Sequence, residues 1–310
     1  MRGIVSEKLK PFLAQVNAVI AENKANNINL SVKQVRENLN NLQVLIGDGP
    51  KLNYVMNKQI VLNNHNIPVR VYSPNPQKKL PVVLHFHGGG HMCGSINLYD
   101  TISRKIATAG QCVVIAVEYR LAPEHPYPAG LDDCQQVLMH YQQVLTEIAF
   151  SEQVIILGDS AGGAICTTLS MQSLTNSSLK IDKQILIYPS VDYTLSSDSF
   201  KDNGHGFLLE SDKVAWYFDH YFQHNEPRSN ASPLLGEINK HLPATLIFTA
   251  GCDPLRDEGI AYAGALTAAG VPVNHHHFSD LIHAYMLLDA LVSEECQQTY
   301  QMIGEFIKNE

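Results

Sequence analysis

Seven short β-rich runs, most of the later ones separated by segments of helix length, constrain the fold of this chain more than any other feature. The runs fall at 67–72, 81–86, 112–117, 154–157, 184–188, 245–249 and 273–278, and the helix-length segments at 98–109, 130–150, 162–174 and 257–269. Consecutive strands can pair in parallel only through a crossover of a dozen or more residues, usually a helix. The alternation therefore predicts an α/β fold, with a mostly parallel central sheet and helices on both faces. The run Val113-Val114-Ile115-Ala116-Val117 is apolar throughout, as a strand covered on both faces must be.

Two regions stand outside this alternation. Near the amino terminus, Leu9, Phe12, Leu13, Val16, Val19 and Ile20 recur at three- and four-residue spacing, which predicts a helix ended by Asn26 and Asn27. Ser31 followed by Gln34 is a capping-box pattern opening a second helix, with Val32, Val35, Leu39 and Leu42 on one face. The polar faces are rich in Asn and Gln and not strongly basic, so both helices are expected to pack on the rest of the protein and not on a membrane surface. The connection from 190 to 243 is too long for a plain loop and carries Trp216, Tyr217, Phe218, Tyr221 and Phe222. It is expected to be an insertion with helices of its own. The predicted division is a core of residues 46–189 and 243–310 beneath a discontinuous helical cap of residues 1–45 and 190–242.

Composition excludes some partners. Lys plus Arg number 22 against 30 Asp plus Glu, a formal charge of −8 with no basic run, so nucleic acid is not an expected partner. The six cysteines are widely spaced and never form C-x-x-C, and they read as buried thiols of a reducing compartment. The first residues lack an apolar stretch of signal-peptide length, and nothing approaches the ~18–20 apolar residues of a membrane span. A cytoplasmic location is expected.

The chemistry is concentrated in four places. Gly158-Asp159-Ser160-Ala161-Gly162 satisfies G-x-S-x-G between a β-rich run and a helix-forming segment, so Ser160 is expected on a sharp turn with its hydroxyl exposed. His87-Gly88-Gly89-Gly90 follows another strand, and successive glycines let amides face outward toward a developing oxyanion. Gly88 and Gly89 are the expected donors, with Ala161 the third, and Gly90 supports them. His87 is expected to anchor this loop and not to act as a base. Asp253 follows a strand at its carboxyl end, and His283 follows the last one, completing the order serine, acid, histidine. His275 and His277 share one strand face, but without carboxylate or thiol partners at ligand spacing they suggest a solvated face; no metal or cofactor is expected.

Taken together, the stretches HGGG, EYRLAPEHPYPAGLDD, GDSAGGA, ASPLL and LPATLIFTAGCDPLRDEG resemble the hormone-sensitive-lipase-like branch of the α/β-hydrolases, over roughly residues 60 to 290. The resemblance implies the α/β-hydrolase fold with a cap. It also implies a serine carboxylesterase or lipase using Ser160, Asp253 and His283 through an acyl-enzyme, with Gly88, Gly89 and Ala161 at the oxyanion positions. Asp159 would brace the serine turn, and Glu118, Tyr119 and Arg120 would support the catalytic loops. Two departures stand near the expected pocket: His91 follows the glycines, where a large apolar residue is usual, and Ala284-Tyr285 replaces the usual Gly-Phe. The expected substrate is a small apolar ester with a short- to medium-length acyl group. Amide deacetylation by the same residues and a non-catalytic, receptor-like ligand-binding role are the alternatives. Edge-strand or helix pairing would permit a homodimer.

Overall fold

In a computed structural model, residues 1–309 are described. Eight strands form one sheet: β1 (Tyr54–Val61), β2 (Asn66–Ser73), β3 (Leu80–Phe86), β4 (Val113–Val117), β5 (Phe150–Asp159), β6 (Lys183–Ile187), β7 (Ala244–Cys252) and β8 (Val273–Ile282). Their spatial order is β1-β2-β4-β3-β5-β6-β7-β8. The β1–β2 and β2–β4 pairs are antiparallel. All other pairs are parallel. The helices are α1 (Lys10–Ala25), α2 (Val32–Asn40), α3 (Asp100–Gly110), α4 (Ala129–His140), α5 (Ala161–Ser173), α6 (Asp198–Asp202), α7 (Ser211–Tyr221), α8 (Arg228–Ala231), α9 (Arg256–Ala268) and α10 (Ser293–Lys308).

Strand periodicity builds two cores. Neighbouring residues of a strand point to opposite faces. Val83, Ile155 and Ile185 accordingly join α3 and α10 on one side of the sheet. Leu84, Ile156 and Leu186 join α4, α5 and α9 on the other. All six cysteines are buried free thiols. No helix among the described residues is long and apolar enough to cross a membrane.

Three features depart from the expected elements. Strand β1 lies outside the predicted runs: it is an edge strand whose residues are mostly half-buried or exposed, so it carries little apolar signal. The segment 130–150 is not one helix. It ends at His140, continues as a 3₁₀ turn over Tyr141–Val144, and Phe150 already pairs with Leu80 as the first residue of β5. On α1, only Leu13 of the apolar stripe is buried; Phe12, Val16, Val19 and Ile20 instead face a cavity of about 880 Å³.

That cavity lies over the carboxyl ends of the central strands. Val35, Leu39 and Leu42 of the second helical segment also line it, as do Trp216 and Tyr217 of α7. The 190–242 insertion holds α6, α7 and α8. It has its own aromatic cluster, in which Tyr193, Phe218, Tyr221 and Phe222 pack with Ala164 of α5 and Leu255. The N-terminal helices are not a separate unit in this sense: Leu9 and Leu13 belong to the same cluster as the sheet residues Ile187 and Phe248.

Candidate active site

The serine turn is built by close approach. Strand β5 ends at Asp159 and α5 begins at Ala161, leaving Ser160 between them with φ 51° and ψ −118°, a conformation that ordinary side chains rarely adopt. The strain is held in place by the backbone, since Ser160 N–H donates to Ile187 O at 2.9 Å and Ser160 O accepts from Ser190 N–H at 3.1 Å. Helix α5 must pass close beneath β3 for this turn to form. A Cβ on Gly162 would lie 1.9 Å from Phe86 O, so only glycine permits the crossing.

Ser160, His283 and Asp253 come together from three strand ends. Ser160 Oγ lies 2.9 Å from His283 Nε2, and His283 Nδ1 lies 2.7 Å from Asp253 Oδ2. Because a carboxylate only accepts, Nδ1 carries the imidazole proton and Nε2 accepts from the serine hydroxyl. Asp253 and His283 are both buried, at 1% and 5% exposure, so water does not compete for the pair. The Asp253 loop is fixed in turn. Its Oδ1 accepts Leu255 N–H at 2.7 Å, and buried Asn203 of the insertion donates to the carbonyls of Gly251 and Asp253 at 3.0 Å each. Tyr188 packs against the imidazole with ring centres 4.8 Å apart. Neither Asn203 nor Tyr188 carries a motif, and only the folded chain reveals their roles.

The glycine loop differs from expectation at one donor. Gly88 N–H is already given to Asp159 Oδ1 at 2.7 Å, and Gly88 does not face the cavity. The amides of Gly89, Gly90 and Ala161 have no acceptor among the described residues, and all three residues line the cavity beside Ser160. Position therefore leaves Gly90, and not Gly88, with a free N–H beside Ser160, because the carboxylate at the end of the neighbouring strand β5 takes the first amide. Gly89 and Gly90 have φ of 125° and 64°, which turns the chain sharply and frees their N–H groups from the sheet.

Asp159 is a brace as well as a neighbour. Its other oxygen accepts Tyr99 O–H at 2.9 Å, and burial pushes its carboxyl up to about 6. His87 stacks between Tyr119 and Tyr99, with ring centres 4.5 and 5.5 Å away, and its Nδ1 lies 2.8 Å from Gly88 O. Burial drives its pKa down, and its Nε2 has no partner. It anchors the loop and is not placed to move a proton for Ser160. Tyr119 O–H donates to His87 O at 2.6 Å, Glu118 accepts Ile96 N–H at 2.7 Å, and Arg120 grips Asp133 at 2.8 Å.

The two departures from the family pattern also resolve. His91 is not a cavity residue; it lies flat on Tyr221, with ring centres 3.9 Å apart at an interplanar angle of 5°, and pairs with Tyr193 Oη at 2.9 Å. Ala284 lines the cavity, whereas Tyr285 turns away and bonds Thr299 at 2.9 Å. On β8, His275 and His277 are exposed, and each sits 2.8 Å from the hydroxyl of Thr249.

A mostly parallel eight-stranded sheet with a strained serine turn after its fifth strand defines an α/β hydrolase. The chain belongs to the α/β-hydrolase fold family, in its hormone-sensitive-lipase-like branch, and the family's sequence profile matches residues 83–287. It is 37% identical over 231 residues to esterase LipI of Mycobacterium tuberculosis, with 71% of each chain covered. Over 253 residues it is 32% identical to the ethyl acetate hydrolase of Pseudomonas putida, with 79% of each covered. Among solved structures, an ester hydrolase from the metagenome of Lake Arreo, in complex with a bipyridine phosphonate derivative, matches with a TM-score of 0.89 at 27% identity over 98% of both chains.

Proposed function

We propose that the chain is a carboxylic ester hydrolase that works through an acyl-enzyme on Ser160. The observation that carries this reading is the continuous chain Ser160 Oγ–His283–Asp253, at 2.9 and 2.7 Å, open to the apolar cavity. Ser160 Oγ attacks the acyl carbon as its proton passes to His283 Nε2. Asp253 holds the Nδ1 tautomer and stabilises the imidazolium that results. The carbonyl oxygen becomes an oxyanion facing the amides of Gly89, Gly90 and Ala161, the last at the N-terminus of α5. His283 returns the proton to the departing alkoxide, and water then repeats the sequence on the acyl-enzyme. Residues 1–45 and 190–242 act as the cap that walls the cavity, and a short- to medium-length acyl group fits it. The name ethyl acetate hydrolase, borne by one relative, points to the short end of that range.

Covalent labelling with an organophosphonate, followed by peptide mapping, tests this reading. Modification is expected on the peptide containing Ser160. Ser160→Ala should lose labelling and drop kcat by about 10⁴ or more with an unchanged melting temperature. Retained turnover in that variant, or labelling elsewhere, would overturn the assignment.

A further inference from the structure

Arg36, on α2, lies outside the cavity and touches neither Ser160 nor His283, yet its guanidinium is bonded to the segment that follows the oxyanion glycines. Its Nε donates to Met92 O at 2.8 Å and its Nη2 to Ala122 O at 2.9 Å. Glu124 fixes the plane of the fork, taking Nη1 at 2.9 Å and Nη2 at 2.6 Å. Ala122 N–H in turn holds His91 O at 2.9 Å. The two residues directly after Gly90 are thus both tied to one side chain, Met92 directly and His91 through Ala122. Val35, the neighbour of Arg36, packs onto buried Met92 and Cys93, so α2 presses on this loop as well as bonding it.

The consequence reaches Gly90 through the peptide plane. Gly89 O accepts from Met92 N–H at 3.2 Å and from Cys93 N–H at 2.9 Å, closing a tight turn. In a trans peptide the carbonyl and the following N–H point in opposite directions. Pinning Gly89 O into the turn therefore aims Gly90 N–H out of it. If Met92 and Cys93 drift, Gly89 O is released and the Gly90 amide loses its direction. A loop with φ above zero at Gly89, Gly90 and His91 has no regular structure of its own to resist that drift.

We propose that Arg36 is a positioning residue for the oxyanion donors, acting through Met92 and Ala122 to set the Gly90 amide. Docking of α2 and competence of the oxyanion site are then one event. The proposal rests on the serine mechanism above. Oxyanion stabilisation is felt in the transition state and little in the ground state, so loss of Arg36 lowers kcat and leaves KM nearly unchanged.

The test compares Arg36→Lys, Arg36→Met and Glu124→Gln in the full chain, using p-nitrophenyl butyrate and an alkyl trifluoromethyl ketone, whose tetrahedral hemiketal with Ser160 Oγ presents an oxyanion. Arg36→Lys keeps the charge facing Glu124 and serves as the variant that folds. It should lose about tenfold in kcat, and Arg36→Met up to about a hundredfold, a misplacement effect on the scale of a partly lost donor. Affinity for the ketone should fall by the same factors while KM stays within about twofold. Glu124→Gln, which spares both carbonyl contacts, should stay within about threefold of the unmodified enzyme. A lowered melting temperature with kcat and ketone affinity intact would overturn the proposal, as would a raised KM with kcat intact. Organophosphonate labelling keeps the two levels apart. Enzyme that is not labelled at Ser160 refutes the serine mechanism, whereas labelled enzyme indifferent to Arg36 refutes this positioning role alone.

Discussion

Asp159 and Gly162 stand on either side of the Ser160 turn, and each makes a demand that a single substitution exposes. The Cβ of Gly162→Ala would sit 1.9 Å from Phe86 O and 2.9 Å from His87 O, both backbone atoms that cannot rotate aside. Helix α5 must then lift from β3, and a loss of roughly 3 kcal/mol or more is expected in urea denaturation. A near-native midpoint would mean that α5 and β3 are not in contact. Asp159 is buried and its carboxyl is pushed up to about 6 from 3.8. Between those values the folded state holds a proton that the unfolded chain has released, so stability falls as pH rises through the window. The ionised form costs on the order of 3 kcal/mol at neutral pH relative to an unperturbed carboxyl. Urea midpoints taken between pH 4 and 7 should show this slope in the native protein and lose it in Asp159→Asn. An identical slope in both would place the titration elsewhere. The Asn side chain also brings an N–H toward either Gly88 N–H or Tyr99 O–H, so a lower absolute stability accompanies the flatter profile.

At the scale of elements, the readable signals were those with a local cause. The capping box at Ser31 is formed, with Ser31 N–H donating to Gln34 Oε1 at 2.9 Å and Gln34 N–H reaching Ser31 Oγ at 3.4 Å. Ser31→Ala should cost about 0.5–1 kcal/mol in chemical denaturation, the low end of the usual range because the second bond is long. An unchanged midpoint would show that packing of Val35 alone holds the start of α2. Fully buried strands were legible for a similar reason: β4 is buried at every position and apolar at every position. Strand β1 was not, because an edge strand with a solvated face mixes Asn, Lys and Gln into its run. The break of the 130–150 segment was equally hidden. Phe150 pairs with Leu80, some seventy residues earlier, and no local rule anticipates that partner. Helix α10 has clear helical spacing, with Cys296, Tyr300, Ile303 and Ile307 buried, but it lies beyond the last strand–helix alternation that organised the rest.

For the molecule as a whole, the proposed substrate range rests on the size of the cavity and on the segments that wall it. A space of about 880 Å³ walled by α1, the α2 segment and α7 holds a small ester readily. A series of p-nitrophenyl esters should give its highest kcat/KM with short to medium acyl chains, and a maximum at long chains would show that the cap opens further than it stands here. The apolar stripe of α1 illustrates why size escaped the sequence. Helical periodicity identifies a face that avoids water, but a packed core and a cavity wall satisfy it equally. Only the fold shows that Phe12 and Val16 border empty space while Leu13 is buried.

Sequence alone determined the mostly parallel sheet apart from its edge strand β1, the serine turn, and the identity of Ser160, Asp253 and His283 as the residues to test, because each depends on a local pattern or on order along the chain. Tertiary structure alone decided which amides are free. The glycine run offers three equivalent N–H groups, and Gly88 is removed from the set by Asp159, seventy-one residues away. It likewise decided that His91 packs on Tyr221 outside the cavity, that Asn203 bonds the Asp253 loop, and that Arg36 bonds Met92 in the turn after the glycines. These are hydrogen bonds and stacking contacts between residues distant in sequence, and their directions exist only once the backbone is folded.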